Sequence, residues 1–396
     1  MRILYITNKD DKYGGAQCLM ELMDSICKYD DMEVVFLNPE KNNFNSWCSK
    51  RKIENYSIKY YSQMYCKHNR GIVFWVKYLS YFFRYFLLNP FAIRNIEKTI
   101  NIKSFDFIHT NTSTVDIGMI LAKRNDVKHV WHLREFGKED MHFIPFRIDC
   151  YKRMNRDGGN FIAISDVIKK AWIKKGINED KITRLYDGVK ADSITQNEKI
   201  FAEDKIKIAF CGSITSFKDQ EQLIRAFCLL PKNDREKFRV DFWGTGNPEY
   251  IKHLQELINV NHLESIFTFK GYSNDLYKEL LNYDIGMNCS NSEAFGRVTA
   301  EYILAGLLTV ASDTGANIEL IQQERTGIVF KKNEDIDLAN RLRWIQNNRS
   351  ICVTIAKQGA VFARENYSIE KNVKEFYEFY CSRMIDGMDR GDRAAF

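Results

Sequence analysis

Two carboxylates eight positions apart, Glu293 and Glu301, close the segment Glu-Ala-Phe-Gly-Arg-Val-Thr-Ala-Glu. The pattern predicts a helix that starts after the first and contains the second. At about 100° per residue, eight steps return the direction to within about 80° of the start. Glu301 could then accept hydrogen bonds from a diol such as a ribose. The leading N–H groups of the helix, Phe295 through Gly296 to Arg297, would turn its positive end toward phosphates or sugar hydroxyls. The alternative is a surface Glu near a helix start and a solvated Glu within it. Three further segments share this chemistry: Gly14-Gly15-Ala16 after the loop Asn8 to Tyr13, Gly212-Ser213 through Lys218, and Gly244-Thr-Gly246. Each glycine pair alone is a tight turn. Four such loops following strand patterns favour a nucleotide-diphosphate ligand. None is G-x-G-x-x-G or a P-loop, which argues against a nicotinamide or P-loop site. His109 and His132, each at a strand end, read on their own as structural histidines. Asp335-Ile-Asp337 reads as helix-start acids complementing the dipole, so no metal is assigned.

The elements that must position these residues form two series of short apolar runs alternating with helical patterns, the mark of parallel α/β sheets. The first has strand candidates at 2–7, 33–38, 56–61, 105–110, 128–133, 160–165 and 182–186. The second has them at 206–210, 239–243, 266–270, 285–289, 308–312 and 327–330. A polar stretch, 190–204, reads as the linker. The predicted organisation is α/β, with two doubly wound Rossmann-like domains at 1–195 and 205–366. A C-terminal helix over 367–396 packs back toward the first domain.

With 45% hydrophobic and 28% charged residues, and only 5 Pro in 396, the chain is neither disordered nor fibrous. The net charge of +6 is unevenly spread. Residues 41–100 hold eleven Lys/Arg against Glu54 and Glu97, a local +9, together with 15 aromatics. The run Tyr85 to Ile93 is too short to span a bilayer. This segment reads either as an interfacial helix on an anionic membrane or as a core helix with a solvated basic face. No helix-turn-helix or RNP-like pattern points to nucleic acid. Ten scattered cysteines without metal-like spacing read as reduced thiols, and the N-terminus reads as a strand, so a cytoplasmic location is expected.

The Glu293…Glu301 segment resembles the E-x7-E motif of retaining GT-B glycosyltransferases of the family 4, or group 1, type. Its neighbours are similar too: Gly212…Lys218 with Leu223-Ile-Arg-Ala-Phe227, Phe242-Trp-Gly-Thr-Gly246, Ala305-Gly306 and Thr326-Gly327. The first half adds Gly14-Gly15, His109-Thr-Asn111, Val130 to Glu135, Ala163-Ile-Ser165 and Tyr186-Asp-Gly-Val189. The resemblance implies two domains facing across a cleft and a hexosyltransferase-type activity. It implies Glu293, Lys218 and His132 as catalytic residues. It implies donor binding by Gly14, Gly15, Gly212, Ser213, Gly244, Gly246, Phe295, Gly296, Arg297 and Glu301, and an acceptor side with Arg134 and Glu135. Lys218 matches the diphosphate-binding lysine, Glu301 the residue holding the ribose, Glu293 the one facing the donor sugar, and His132 a histidine near the reacting sugar.

Two departures stand out. Ser213 replaces a usual Arg, leaving Arg297 or Arg134 as the substitute phosphate cation. Asp219 and Leu308 replace a usual Gly and Pro. The expected function is metal-independent transfer from a UDP- or GDP-linked sugar, with retention, to a lipid-linked precursor of capsule, O-antigen or exopolysaccharide. The enzyme is expected to sit peripherally on the inner face of the cell membrane through residues 41–100. The rivals are a nucleotide-sugar epimerase of similar fold, an NAD-dependent oxidoreductase and a nucleic-acid-binding protein.

Overall fold

The computed structural model describes residues 1–8, 14–67, 71–190, 196–197 and 199–391; side chains at 140–141 and 386–391 are outside the description. The expected loop 9–13, most of the expected linker (191–195 and 198), residues 68–70 of the basic segment and the last residues of the C-terminal segment lie outside the described residues. The chain forms two compact units, Met1–Gly188 with the segment from Ile369 onward, and Val189–Ser368.

The first unit holds β1 (Arg2–Ile6), β2 (Glu33–Asn38), β3 (Glu54–Ser57), β4 (Met64–Cys66), β5 (Phe107–Thr110), β6 (Lys128–Leu133), β7 (Phe143–Pro145), β8 (Asn160–Ala163) and β9 (Ile182–Arg184). Seven strands pair in the order β3-β2-β1-β5-β6-β8-β9, all parallel. Alternation along β1 feeds two cores. Ile3 and Tyr5 join Leu19, Leu22 and Met23 of helix Gly14–Ile26, while Leu4 and Ile6 join Ile93, Ile96 and Leu121 on the other face. Each such side chain contributes about 1.5–3 kcal/mol on burial. Helix Ile369–Gly391 completes the first of these cores with Val373, Phe376 and Tyr380.

The second unit holds β10 (Ile206–Cys211), β11 (Phe238–Trp243), β12 (Phe267–Gly271), β13 (Ile285–Asn288), β14 (Leu308–Ser312) and β15 (Ile328–Phe330), ordered β12-β11-β10-β13-β14-β15 and parallel.

Three details differ from expectation. The strand expected at 56–61 runs instead over Glu54–Ser57, because beyond it Tyr61 is claimed by Asn89, whose amide accepts from its N–H (2.8 Å) and donates to its carbonyl (2.9 Å). β4 and β7 pair antiparallel as a small separate sheet, three residues each and too short for alternation to register. The stretch expected as a linker is packed at its end: Asn197 N–H donates to Ala305 O at 2.8 Å, and Ile200 and Phe201 are buried.

Candidate functional site

The strand order of the second sheet reverses between β10 and β13. Open parallel sheets bind ligands beyond the strand ends at such a point. The loops that leave these two strands are tied together: Asn291 N–H donates to Phe217 O and its side-chain amide to Ser216 O, both at 2.9 Å. Their chemical junction is Lys218 Nζ, 2.6 Å from Glu293 Oε1. Burial alone would raise the Glu293 carboxyl. Lys218, with hydrogen bonds involving Ser290 and Asn288, outweighs it and holds the group below the usual Glu range. Below the pair lies a polar network that the sequence did not reveal. Asn288 Nδ2 donates to Glu293 Oε1 (3.2 Å) and Thr299 Oγ1 (2.9 Å), and Thr299 donates to Asn317 Oδ1 (2.9 Å). The Glu293 carbonyl accepts from Ala316 N–H at 2.8 Å, so tightly that a Cβ on Gly315 (φ +55°) would lie 2.1 Å from it. Asn288 at the end of an apolar strand was the one visible hint of this network.

Glu301 sits in helix Arg297–Leu304, as the spacing predicts, with Gly296 (φ +84°) at the N-cap. Its Oε1 accepts from Arg297 Nε and from the Tyr277 hydroxyl, both at 2.8 Å, and Arg297 Nη2 reaches the same hydroxyl at 3.3 Å. Burial, and then the charge of Glu301, push the Tyr277 phenol up, so it stays protonated as a donor. Arg297 therefore arrives with its own counter-ion. Phe295 is buried, its ring 6.3 Å from that of Tyr367.

The glycine loops have a packing role that spacing did not show. Gly212 N–H donates to Trp243 O and Ile214 N–H to Thr245 O, both at 2.9 Å, so the loops after β10 and β11 run side by side. A Cβ on Gly244 (φ +131°) would lie 1.9 Å from Gly212 O, and one on Gly246 1.9 Å from Ile214 O. Both glycines are thus required by backbone against backbone, apart from any nucleotide. Gly212 itself has φ +134° with open space around it, and Ser213 is exposed, its carbonyl accepting from Gln220 Nε2 at 3.1 Å.

Asp219 also finds its reason here. It has φ +52°, the left-handed region where Gly is the default, yet its carboxylate caps helix Gln220–Cys228 by accepting from Gln222 N–H (3.3 Å) and pairs with Lys332. Lys332, 8% exposed, also donates to Gln222 Oε1 and Cys289 O at 2.9 Å, pinning both loops from beneath. Leu308 donates its N–H to Asp284 O at 2.9 Å, a bond a proline could not make.

The first unit gathers the other candidates at the ends of β1, β5 and β6. Arg134 is buried and paired with Asp187, reaches Asn111 Oδ1 at 3.3 Å, and packs on the start of helix Gly14–Ile26, where a Cβ on Gly15 would lie 3.3 Å from its Nε. Glu135 holds the loop after β5, its Oε1 accepting from Ser113 N–H (2.8 Å), Ser113 Oγ (2.5 Å) and Thr112 Oγ1 (3.1 Å). His132 is fully buried, with Arg134 Nη1 3.4 Å from its Nε2. Its Nδ1 lies 3.2 Å from His109 Nε2; His109 Nδ1 lies 2.7 Å from the Tyr380 hydroxyl, itself 3.0 Å from that of Tyr5. This chain has two hydrogen-bond arrangements. In one, Tyr380 donates toward His109 and a proton sits on His132 Nε2, where it would face an Arg134 N–H; in the other every bond reverses and the bare Nε2 can accept from Arg134, which only donates. Burial first, then neighbouring charge, holds both imidazoles well below the ordinary histidine value.

Asp335 and Asp337 stand in the first turn of helix Asp335–Asn347, paired with Arg225 (2.8 Å) and Arg341 (3.7 Å). Among the described residues no three His, Cys, Asp or Glu side chains converge as metal ligands.

Residues 192–361 match the family described as Glycosyl transferases group 1, and residues 57–193 the one described as Glycosyltransferase Family 4. The glycosyltransferase MJ1069 of Methanocaldococcus jannaschii, itself uncharacterized, is 24% identical over 354 residues, covering 82% of this chain and 88% of that protein. A second from the same organism, MJ1607, is 32% identical over 173 residues, 40% of this chain and 43% of its own. Among solved structures, Anabaena Alr3699/HepE in complex with UDP superposes with a TM-score of 0.79 at 19% identity, covering 96% of this chain and all (100%) of that one. The lipopolysaccharide outer core galactosyltransferase WaaB superposes with a TM-score of 0.70 at 13% identity, covering 97% and 100%. With two parallel sheets and adjoining family matches over residues 57–361, the chain is a glycosyltransferase of GT-B fold and belongs to the group 1, family 4 type.

Proposed function

We propose that this enzyme moves a sugar from a UDP-linked donor, with retention at the anomeric carbon, to a lipid-linked precursor of surface polysaccharide at the inner membrane face. The observation that carries the reading is the Lys218–Glu293 pair at the sheet's reversal point, four residues ahead of the helix on which Arg297 and Glu301 cluster with Tyr277. Lys218 transfers its hydrogen bond from Glu293 to the donor diphosphate and stabilises it as charge grows on the leaving group. Glu293, still held by Asn288, turns its carboxylate to the sugar hydroxyls, and Glu301 takes the ribose diol. No carboxylate is assigned as nucleophile; the leaving phosphate oxygen receives the acceptor's proton. The solved relative from Anabaena was also crystallised with UDP-glucose, which supports a uridine donor, and WaaB's named role supports a surface-polysaccharide acceptor.

The test is calorimetry with UDP and GDP, then product analysis by NMR with the preferred nucleotide-sugar and a lipid-linked acceptor, with and without EDTA. Tight UDP binding, a retained anomeric configuration and full turnover in EDTA are expected. Preference for GDP, inversion, or loss in EDTA restored by a divalent ion would each overturn the corresponding part.

A further inference from the structure

Helix Gly71–Thr99 is docked on the first unit by one face and bare on the other. Its second half is anchored through Tyr85, Asn89, Ile93 and Ile96, with the Tyr85 hydroxyl 2.6 Å from buried Asp116. Its first half touches the body through Phe74, Tyr78 and Phe82, which pack around Tyr65 and Phe146. Part of the aromatic excess is therefore ordinary core, Phe82 included, which is turned inward.

The remainder is not core. Ile72, Trp75, Val76, Leu79, Phe83 and Leu87 are exposed, Ile72 at 79% and Leu87 at 60%. At about 100° per residue, five of them (Ile72, Val76, Leu79, Phe83 and Leu87) fall within about 80° of arc, a continuous apolar stripe along four turns. Lys77 and Arg84 are exposed about 100–120° round from its centre, and Arg84 lies 5.6 Å over the Tyr81 ring. No acidic residue occurs in the helix before Glu97, which is itself paired with Arg124. No helix among the described residues is long and apolar enough to cross a membrane.

We infer that this stripe is a membrane-docking surface that lies flat in the interface of an anionic lipid bilayer. Trp75 and Phe83 enter the acyl boundary while Lys77 and Arg84 extend along the headgroups. Charge complementarity selects the occupant. A surface without acids, flanked by cations within a +9 segment, repels a second copy of itself and attracts acidic headgroups. The inference deepens the proposed location of the enzyme, but it holds whatever sugar is transferred.

The test is co-sedimentation of the full chain with vesicles of phosphatidylcholine alone or of phosphatidylcholine and phosphatidylglycerol in equal parts, at low and high salt. Three proteins are compared: wild type, Leu79→Gln/Phe83→Gln and Lys77→Gln/Arg84→Gln. Wild type should bind the mixed vesicles at least about tenfold better than the neutral ones, and less in high salt; each double variant should lose about tenfold. All three should melt alike and hydrolyse the nucleotide-sugar equally, because the changed side chains are exposed. That readout separates failure of docking from failure of the transferase reading. Wild type left in the supernatant, or double variants that bind as well as wild type, would overturn the inference. So would a dimer in sedimentation velocity that disappears in Leu79→Gln/Phe83→Gln, since the stripe would then be covered by a second copy.

Discussion

Replacing Lys218 by Met removes the cation 2.6 Å from Glu293 and leaves its carboxylate in place, 10% exposed. Breaking a fully buried pair costs about 3–5 kcal/mol through the charge left behind. Lys218 is 21% exposed and Glu293 retains its bond from Asn288, so the cost here is about 2 kcal/mol at pH 7. For a unit the size of Val189–Ser368, that lowers the melting temperature by about 4–8 °C. The pH dependence has a definite sign. Glu293 titrates below its unfolded value, so the pair's stabilisation is fully present above about pH 4.5 and is lost as pH falls through the folded value. In Lys218→Met burial is no longer outweighed by a neighbouring cation, and the carboxyl rises. The melting deficit should therefore be largest at neutral pH and shrink toward pH 4. Glu293→Gln in the Lys218→Met background should recover most of the loss, since an amide needs no counter-ion. Calorimetric melts of the four proteins from pH 4 to 8 measure this directly. A deficit equal at both ends, or a double variant showing the sum of the single losses, would refute the pairing argument.

The other predictions are simpler. Glu301→Ala should weaken UDP affinity about tenfold or more by calorimetry, through loss of a charge-assisted acceptor for the ribose, about 1.5–3 kcal/mol; unchanged affinity would remove the ribose assignment. Gly244→Ala should destabilise the second unit by more than about 2 kcal/mol in urea titration, because its Cβ would meet Gly212 O at 1.9 Å; wild-type stability would mean that the two loops separate without cost. Tyr380→Phe strips a hydrogen bond from buried His109 and should cost about 1–3 kcal/mol in thermal melts. Because burial depresses the pKa of His109 and His132, their neutral burial stabilises the first unit above about pH 6.5 and is lost as pH falls below it. Replacing His109 by Gln should flatten that acid limb, and an unchanged limb would count against the assignment.

Central strands were legible because they are buried on both faces and read as continuous apolar runs, as in Ile3 to Ile6 and Ile208 to Cys211. The placement of Glu293 before a helix and Glu301 within it was legible from local period alone. What escaped reading depends on partners far away along the chain. Lys332 pins loops more than forty and a hundred positions earlier, at Cys289 and Asp219. Asp187 neutralises Arg134 across 53 positions, and Tyr380 reaches Tyr5 across 375. Single-sequence periodicity carries no trace of such pairings. The double-glycine loops were visible, but not their cause, because the Cβ-free approach of Gly244 to Gly212 joins two loops rather than a loop and a ligand.

The return of helix Ile369–Gly391 also sets an order of assembly. The unit Val189–Ser368 is one uninterrupted stretch of chain, whereas the unit that begins at Met1 lacks Val373, Phe376 and Tyr380 until the whole of the other has been synthesised. On the ribosome the usual N-terminal-first sequence is thus reversed for completion. The second unit can close while β1 and helix Gly14–Ile26 still expose the groove that the returning helix fills. During that interval the nascent chain presents Leu19, Leu22 and Tyr5 to its surroundings. A chain stopped near Ser368 would retain that exposed groove permanently, as a surface for chaperones and for aggregation rather than for catalysis.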